Sequence, residues 1–457
     1  MHQIAKTEEY RETELGELPV DWEISEFNDC ISLETGKRMK GGALEKGEIP
    51  SIGGQHIDNF GRIKWNKDMK YISKEFYDNE LKKGKLNKGD VLVVKDGATT
   101  GKTAYLNEIP SQGAAINEHV FIIRSKDKNQ LTNEFVFYYL FSVEGYKSLR
   151  QNFRGLIGGV GRNDILSIKI PLPPLPEQQK IAYVLSAIQD DKEKTENIIN
   201  SYKELKKSLM KHLFKYGPVK FQDAEKVKLK ETEIGEMPDN WEVKEIRDLI
   251  EKTKQKDMRK EDAEFKYIDV SSIDRDFYRI TGFTLHKGKT SPSRARKIVK
   301  DNDVIVATVR PTLRRIAIVS GDYDNQICST AFCVLRANKE QLDSKFLYYS
   351  TQRTLFFDSL SSIQRGASYP AVTDSDIKKQ KMAYPNPAYQ EEISEILSSV
   401  DFKIEQEENK KQALEELFKS MLHNLMAAKI RVKDIDINNN LNMAKMPQLE
   451  GLKNGKD

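Results

Sequence analysis

The stretch ETELGELPVDWE, residues 12–23, recurs in the same chain as ETEIGEMPDNWE, residues 231–242. Later stretches recur in the same order: GDVLVV (89–94) as NDVIVA (302–307), EFVFYYL (134–140) as KFLYYST (345–351), Arg154-Gly155 as Arg365-Gly366, Asp164-Ile165 as Asp376-Ile377, and KIAYVLSAI (180–188) as EISEILSSV (392–400). The spacing between copies falls from 219 to 212 residues, so small insertions separate them. A repeat of roughly 200 residues is far longer than a solenoid repeat and indicates duplication of a domain-sized unit.

The first part of each copy contains both predicted strands and predicted helices. Four short β-branched runs predict strands. These runs are DVLVV (90–94), HVFIIR (119–124), DVIVAT (303–308) and RIAIV (315–319). The segments 131–149 and 342–360 predict helices that pack through aromatic faces. The first part of each copy, about 1–175 and 228–388, is therefore predicted to be a mixed α/β domain.

The second part of the first copy opens at PLPPLPEQQK, residues 171–180. Its prolines stop the preceding strand and start a helix with Glu177 in the first turn. In this segment and its counterpart near 389–427, apolar residues recur at spacings of three and four over about five heptads. The stripe predicted to form a coiled coil consists of Ile181, Leu185, Ile188, Ile199, Tyr202 and Leu209, and of Ile393, Leu397, Val400, Leu414, Leu417 and Met421.

Two arrangements fit such a stripe. One is an ordinary amphipathic helix packed on a globular core. The narrow stripe and the charged residues on the opposite face, such as Asp190 and Lys194, favour a narrow partner, and the other long helix is the obvious one. We therefore predict an antiparallel coiled coil, in which the helix from Glu177 to Phe214 is about 57 Å long.

The fold class predicted is α+β, with two similar mixed α/β domains separated by two long helices that form an antiparallel coiled coil, and with an internal pseudo-two-fold repeat. The predicted boundaries are 1–175 for the first domain, 176–215 for the central helix, 216–388 for a linker and the second domain, 389–427 for the C-terminal helix and 428–457 for a flexible polar tail.

Composition limits the class of protein. The 457 residues are 32% charged and 38% hydrophobic, with a net charge of +4, so any nucleic-acid surface must come from local clustering. No run approaches eighteen apolar residues, and the N-terminus lacks the apolar core of a signal peptide. The three cysteines have no CxxC spacing, and their odd number favours a reduced cytoplasmic setting without structural zinc.

Three stretches resemble catalytic or cofactor motifs and fail on inspection. VVKDGATTGKTA, residues 93–104, is one residue short of a Walker phosphate loop, and the second copy has VRPTLRR in its place. NPAY, residues 386–389, resembles an adenine-methyltransferase motif, but it stands at the helix-starting position of the second copy, which favours a structural role. GLIGGVG, residues 155–161, is best interpreted as a flexible loop. The six histidines are scattered, and no HExxH or GxSxG occurs.

Positive charge gathers at the same element of both copies. Residues 82–104 hold six basic and two acidic residues, and 289–315 hold eight and two. A solvated basic face is the ordinary explanation for one such cluster, but two matched clusters favour phosphate-backbone contact, with Arg and Thr side chains able to read base edges. The predicted nucleic-acid contacts in these clusters are Lys88, Lys95, Thr99, Thr100 and Lys102 in the first copy, and Arg294, Arg296, Lys297, Arg310, Thr312, Arg314 and Arg315 in the second. Further base-reading candidates are Arg154 and Arg162, on either side of the glycine-rich loop, and Arg365 and Tyr369 in the matching place of the second copy.

Three motifs carry a family resemblance: LGELPVDWE (15–23), GDVLVVKDGATTGK (89–102) and IPLPPLPEQQKIAYVL (170–185). In them, the chain resembles the DNA-specificity subunit of a type I restriction-modification system, over nearly the whole length up to about Ala427. The second copy departs from the family pattern at YPNPAYQEEI (384–393) and at VRPTLRR (309–315), which lacks the glycines.

The resemblance implies that each half contains a target recognition domain that reads one part of a split, asymmetric sequence in double-stranded DNA. It implies that the two helices set the spacing and dock two methyltransferase subunits, which bind S-adenosylmethionine. Two restriction subunits, which use ATP and magnesium, would complete the complex. The specificity subunit itself would perform no reaction and bind no cofactor, metal or membrane.

Two alternatives remain open at the level of sequence. One is a coiled-coil scaffold with two peptide-binding domains, and the other is the recognition half of a fused methyltransferase. Selective, salt-dependent DNA binding by the reconstituted complex would exclude the scaffold. Binding of S-adenosylmethionine by the isolated chain would favour the fused enzyme.

Overall fold

The computed structural model describes residues 9–65, 68–151, 158–366 and 368–432. The chain forms two compact units. Unit 1 comprises the described residues up to Thr195 together with those from Lys410 onward, and unit 2 comprises Glu196–Asn409. Both boundaries fall inside a long helix, so each unit contains one part of each long helix.

Unit 1 contains a series of short strands followed by helices. The strands are β1 (Tyr10–Thr13), β2 (Gly16–Pro19), β3 (Glu23–Glu26), β4 (Ile31–Thr35), β5 (Ile49–Ile52), β6 (Lys70–Ile72), β7 (Val91–Val94), β8 (Thr103–Tyr105), β9 (Ala115–Ile116), β10 (Val120–Ser125) and β11 (Lys169–Leu172). The helices are α1 (Phe27–Cys30), α2 (Asn133–Phe141), α3 (Val143–Arg150), α4 (Arg162–Leu166) and α5 (Leu175–Tyr216), which continues into unit 2.

The main sheet of unit 1 is antiparallel in the order β4-β10-β7-β8, and β5 pairs with β6 and, in parallel, with β9. All four residues of β7 are buried, because side chains that alternate across a strand meet a core on both faces. Val91 and Val93 pack with the aromatic residues of α2, whereas Leu92 and Val94 pack in a second cluster with Ile52.

Unit 2 follows the same plan with a different middle. Its strands are β12 (Leu229–Lys230), β13 (Met237–Pro238), β14 (Glu242–Glu245), β15 (Ile250–Glu251), β16 (Glu264–Ile268), β17 (Ile273–Asp274), β18 (Arg279–Ile280), β19 (Thr284–Lys287), β20 (Ala295–Ile298), β21 (Val304–Ala307), β22 (Ile316–Ile318), β23 (Ile327–Ser329), β24 (Phe332–Ala337) and β25 (Lys381–Tyr384). Its helices are α6 (Ser344–Gln352), α7 (Thr354–Ile363), α8 (Asp374–Lys378) and α9 (Pro387–Met426), which continues into unit 1.

The four-stranded sheet β15-β24-β21-β22 of unit 2 matches β4-β10-β7-β8 of unit 1 strand for strand. The second sheets differ, since unit 2 has four strands in the order β19-β16-β23-β20 and unit 1 has three. The two units therefore share one frame of strands and helices and differ in the middle.

Equivalent glutamines fix the start of each long helix. The buried Gln178 amide donates to the carbonyls of Gln130 (2.8 Å) and Pro173 (2.9 Å) and accepts from the Thr132 N–H (3.0 Å). Gln390 repeats these bonds with the carbonyls of Gln341 (3.2 Å) and Pro385 (2.9 Å) and with the Asp343 N–H (2.9 Å). The side chain of Asn386 accepts from the Tyr389 N–H at 2.9 Å, which caps α9. The structural role predicted for NPAY is confirmed.

Within each unit, the two long helices contact each other. In unit 1 the Lys192 ammonium lies 3.6 Å from the Glu415 carboxylate, and Phe418 shares the core with Ile188. In unit 2 the Lys206 ammonium lies 2.8 Å from the Asp401 carboxylate. A small apolar cluster there joins Ile199 with Val400 and Ile404.

Several expectations need correction. Leu417, predicted in the apolar stripe, is 39% exposed, and the neighbouring Phe418 is buried in its place. The segment 131–149 is two helices, because the Ser142 hydroxyl caps α3 by accepting from the Gly145 N–H at 3.2 Å. The segment 342–360 is likewise divided, at Arg353.

The first residues of the predicted polar tail, from residue 428, pack on unit 1. Ala428 and Val432 are buried in the core of unit 1, and residues 433–457 lie outside the described part of the chain. Within the described ranges, no helix combines the length and the apolar character that crossing a membrane requires.

Candidate nucleic-acid interface

The loop that joins β7 to β8 in unit 1, which we name loop 1, carries the predicted contacts Lys95, Thr99, Thr100 and Lys102. The Val94 N–H closes it by donating to the Lys102 carbonyl at 2.9 Å. Inside it, the Thr100 N–H donates to the Gly97 carbonyl at 3.2 Å and the Thr100 hydroxyl donates to the same carbonyl at 2.6 Å. Loop 1 is thus a compact turn with a fixed main chain.

The loop that joins β21 to β22 in unit 2, which we name loop 2, carries Arg310, Thr312, Arg314 and Arg315. The Ala307 N–H closes it by donating to the Arg315 carbonyl at 2.9 Å, and the Leu313 N–H donates to the Arg310 carbonyl at 2.9 Å. These bonds repeat those of loop 1, so loops 1 and 2 share one main-chain frame in which Arg310 corresponds to Gly97.

Two positions of this frame require a left-handed backbone. In loop 1 they are occupied by Gly97 (φ +90°) and Gly101 (φ +84°). In loop 2 they are occupied by Arg310 (φ +47°) and Arg314 (φ +52°). Glycine adopts this conformation without cost, whereas a residue with a Cβ atom is strained in it. Unit 2 therefore keeps two arginines where the backbone favours glycine.

Lys102 and Arg315 occupy equivalent positions at the end of each loop, and both turn inward. The Lys102 ammonium donates to the Ile57 carbonyl at 3.1 Å, and the Arg315 guanidinium donates to the Val270 carbonyl. Both carbonyls belong to the turn that follows the neighbouring sheet's strand, β5 in unit 1 and β16 in unit 2. These two cations bind main-chain carbonyls of their own units. The other predicted residues are therefore the candidates for DNA contact.

A second segment adjoins each loop. In unit 1 the Val160 N–H donates to the Lys95 carbonyl at 2.6 Å, so the segment that leads into α4 adjoins loop 1. Arg162 begins α4, and its guanidinium donates to the Leu33 carbonyl at 2.9 Å. In unit 2 the Val372 N–H donates to the Thr308 carbonyl at 2.8 Å. Arg154 lies outside the described residues.

Arg365 and Tyr369 belong to the adjoining segment of unit 2. The Arg310 N–H donates to the Pro370 carbonyl at 2.7 Å, and the Arg310 guanidinium carbon lies 5.2 Å from the centre of the Tyr369 ring. Arg365 pairs with Asp376 at 3.2 Å. The pKa of Asp376 is lowered, first by hydrogen bonds from the main-chain N–H and hydroxyl of Thr373 and then by the charge of Arg365.

The other predicted contacts lie apart from these loops or are engaged elsewhere. Lys88 is exposed but precedes β7, so the whole strand separates it from loop 1. Arg296 contacts Asp257 at 3.5 Å, and the Lys297 ammonium bonds Asp374 (2.5 Å) and the Phe332 carbonyl (2.6 Å). Arg294 is exposed.

Residues that the sequence did not single out lie beside loop 1. A cleft of about 180 Å³ is lined by Lys37, Arg38, Gln55, Lys70, Asn117 and His119, among others. His119 contacts Asp96 of loop 1, and the Lys95 N–H donates to the His119 carbonyl at 2.9 Å. These residues come from separate loops, so only the fold brings them together; the basic character of Lys37-Arg38 was the one local signal.

The two loop regions offer donors and cations at the surface of each unit, which suits phosphate and base-edge contact more than covalent chemistry. Among the described residues, His, Cys, Asp and Glu side chains do not gather in threes that could hold a metal ion. The candidate site therefore occurs in duplicate, once in each unit, and the chain has a duplicated architecture.

Comparison with known proteins also finds two copies of one domain in the chain. The family described as type I restriction modification DNA specificity domain matches residues 19–206 and 238–416. The chain is 25% identical over 446 residues to the type I restriction enzyme MjaVIII specificity subunit of Methanocaldococcus jannaschii, covering 95% of this chain and 99% of that one. It is also 25% identical over 464 residues to the putative MjaX specificity subunit of that organism, covering 94% and 99%.

A solved structure supports the fold. The type I restriction-modification S subunit from M. genitalium superposes with a TM-score of 0.56 at 16% identity, covering 88% of this chain and 96% of that one. Because the family matches both copies over most of the sequence, the chain belongs to the type I restriction-modification DNA specificity family and has two recognition domains.

Proposed function

We propose that this chain is the DNA-reading subunit of a type I restriction-modification complex, in which each unit reads one half of a split target. The observation that carries the proposal is the duplicated main-chain frame of loops 1 and 2, in which Thr99 and Thr312 occupy equivalent positions and each loop carries cationic side chains. Because the side chains differ between units, the two half-sites differ and the target is asymmetric.

DNA contact is proposed to involve Lys95, Thr99, Thr100 and Arg162 in unit 1, and Arg294, Arg310, Thr312, Arg365 and Tyr369 in unit 2. Arginine suits this role because its planar guanidinium donates two parallel hydrogen bonds to phosphate or to guanine. Lys88 and Arg154 stay as predicted contacts of the phosphate backbone or bases.

We further propose that α5 and α9 pair along their length as one antiparallel coiled coil and act as a ruler. In unit 1, Lys192 contacts Glu415 and Ile188 shares a cluster with Phe418. In unit 2, Ile199 shares a cluster with Ile404 and Lys206 contacts Asp401. Each pair of contacts supports an antiparallel direction within its unit. A helix of 42 residues is about 63 Å long, which limits the unread gap to roughly 18 base pairs.

The catalytic steps are assigned to partners. Two methyltransferase subunits would bind S-adenosylmethionine and dock on the helix pair, and two restriction subunits would use ATP and magnesium. This chain would supply recognition without catalysis. Exposed apolar residues on the long helices, such as Leu205 and Leu417 at equivalent positions, suit a docking face of this kind.

The test is to produce the full chain with its cognate methyltransferase subunit and to map N6-methyladenine across the host genome. We expect a split, asymmetric motif with a constant gap. A continuous motif, or methylation that does not depend on this chain, would contradict the proposal. If the chain alone bound S-adenosylmethionine, the fused-enzyme alternative would be favoured.

A further inference from the structure

We propose that Arg310, held against the ring of Tyr369, reads a guanine in the half-site recognised by unit 2. This inference rests on the proposed function and extends it to one residue and one base. Three observations of unit 2 carry it: the strained backbone of Arg310, the exposure of its partner Tyr369, and the absence of any competing partner within the described residues.

The strain is informative because unit 1 shows how the same frame is built without it. Gly97 occupies the equivalent position at φ +90°, and a Cβ atom added there would meet nothing within 4 Å. Space is therefore not the reason for glycine in unit 1; the left-handed backbone is. Arg310 adopts φ +47° with a full side chain, so unit 2 retains a strained residue. Strain of this kind concentrates at functional sites.

The guanidinium is placed for recognition and not for packing. Tyr369 is 76% exposed, which is unusual for a large aromatic residue, and the Arg310 guanidinium carbon lies 5.2 Å from its ring centre. The bond from the Arg310 N–H to the Pro370 carbonyl, 2.7 Å, holds the two segments together. Among the described residues, the Arg310 guanidinium has no hydrogen-bond or ion-pair partner, so its N–H donors are available to a ligand.

Arg314, the second strained arginine, differs in this respect. Its guanidinium carbon lies 5.2 Å from the centre of the Phe357 ring of α7 and its residue is half-buried, so it holds loop 2 on the domain. Of the two arginines with a left-handed backbone, Arg310 is the exposed one. A guanidinium presents two parallel donors, which match the O6 and N7 acceptors of guanine in the major groove, and contact with an aromatic ring limits its freedom.

The experiment uses the full chain with its methyltransferase subunit and genome-wide mapping of N6-methyladenine. Arg310→Gly removes the guanidinium and restores the residue that the backbone favours. Arg310→Lys keeps the charge but loses the two parallel donors. Arg259→Gln is the matched control, because Arg259 is a partly exposed arginine of unit 2 that pairs with Asp257 away from loop 2.

We expect Arg310→Gly to relax one G·C position in one half-site, with discrimination reduced roughly 5- to 150-fold, and to leave the other half-site unchanged. Arg310→Lys should relax the same position, and Arg259→Gln should leave the motif intact. The thermal midpoint of Arg310→Gly should equal or exceed that of the parent chain, because the strain is relieved.

An unchanged motif in Arg310→Gly, or an equal loss of methylation for every sequence, would overturn the inference; the second result would mean a phosphate contact. Relaxation at an A·T position would overturn it as well. These results leave the proposed function standing. If the parent complex yields no split motif, the proposed function falls and this inference falls with it.

Discussion

Arg431 and Glu177 are 254 residues apart in sequence, yet they form a two-point ion pair in unit 1, with nitrogen–oxygen distances of 2.6 Å and 2.7 Å. The same guanidinium bonds both oxygens of Asp21, at 3.1 Å and 2.8 Å, and the Trp22 indole N–H donates to Glu177 at 3.1 Å. The residues that follow α9 are thus joined to the start of α5 and to the segment after the first hairpin.

The first prediction concerns this ion pair. The side chains of Arg431 and Glu177 are only 9% and 3% exposed, so removing the cation leaves a buried carboxylate without its main partner. We expect Arg431→Ala to lower the free energy of unfolding by about 3 kcal/mol, and Arg431→Lys to lower it by less. Urea unfolding and hydrogen exchange at the start of α5 would measure this. Equal stability of Arg431→Ala and the parent chain would contradict it.

The second prediction uses a buried ion pair that occurs in both units. Arg336 bonds Asp303 at 2.8 Å and 2.7 Å, and Arg124 bonds Asp90 at 2.6 Å and 2.7 Å. Arg336→Met should destabilise unit 2 by about 3 kcal/mol, because the buried Asp303 carboxyl would lose its partner. The double variant Asp303→Asn/Arg336→Met should be closer to the parent chain. If the effects of Arg336→Met and Asp303→Asn on the free energy of unfolding, measured with urea, simply add in the double variant, the coupling is refuted. The equivalent pair of Arg124 and Asp90 allows the same test in unit 1.

The third prediction concerns the pH dependence of unit 1. The His56 ring is buried; its Nδ1 accepts from the Gly53 N–H at 2.9 Å, and its Nε2 lies 3.2 Å from the Asp68 carbonyl. Nδ1 can accept only when unprotonated, and burial lowers the pKa of His56 below its ordinary 6.5.

The unfolded chain therefore binds a proton near pH 6.5 that the folded site binds only at lower pH. The stability contribution is complete above that pH and decreases as the pH falls below it. Unfolding free energies between about pH 7.5 and about pH 5.5 should decline in the parent chain and decline less in His56→Gln, whose amide can bond both neighbours. Identical slopes would show that other groups cause the decline.

The sequence predicts the features of this fold that depend on local repetition. The duplication, the VLVV and VIVA strands and the proline-started helices are visible because each depends on residues a few positions apart. Phe418 rather than Leu417 packs inward because the helix meets the aromatic residues Tyr138 and Phe141 of its own unit, with ring centres 6.4 Å and 6.0 Å from that of Phe418. Spacing along the helix does not contain that information.

The candidate site also has features that the sequence predicts and features that only the fold determines. Basic residues on loops 1 and 2 are visible as charge clusters, but their separate roles depend on neighbours distant in sequence. Lys102 turns to the Ile57 carbonyl because the two sheets of unit 1 meet there. Gln55 and Asn117 line one cleft because they follow the paired strands β5 and β9. The sequence of loop 2 lacks the glycines of loop 1, yet Arg310 and Arg314 adopt the left-handed backbone of the glycines they replace.

The fourth prediction tests the proposed ruler. Inserting one heptad into α5 after Thr195 and one into α9 after Asn409 lengthens both helices by about 10 Å, which corresponds to roughly three base pairs. If the helices pair as an antiparallel rod, the matched insertions keep the apolar stripes in register and the gap in the methylated motif widens by that amount, with both half-sites unchanged. An insertion in α5 alone is the control, because it shifts one stripe against the other and should abolish split-site methylation. A gap that stays constant after matched insertions would mean that the units are positioned on DNA by their partners and not by these helices.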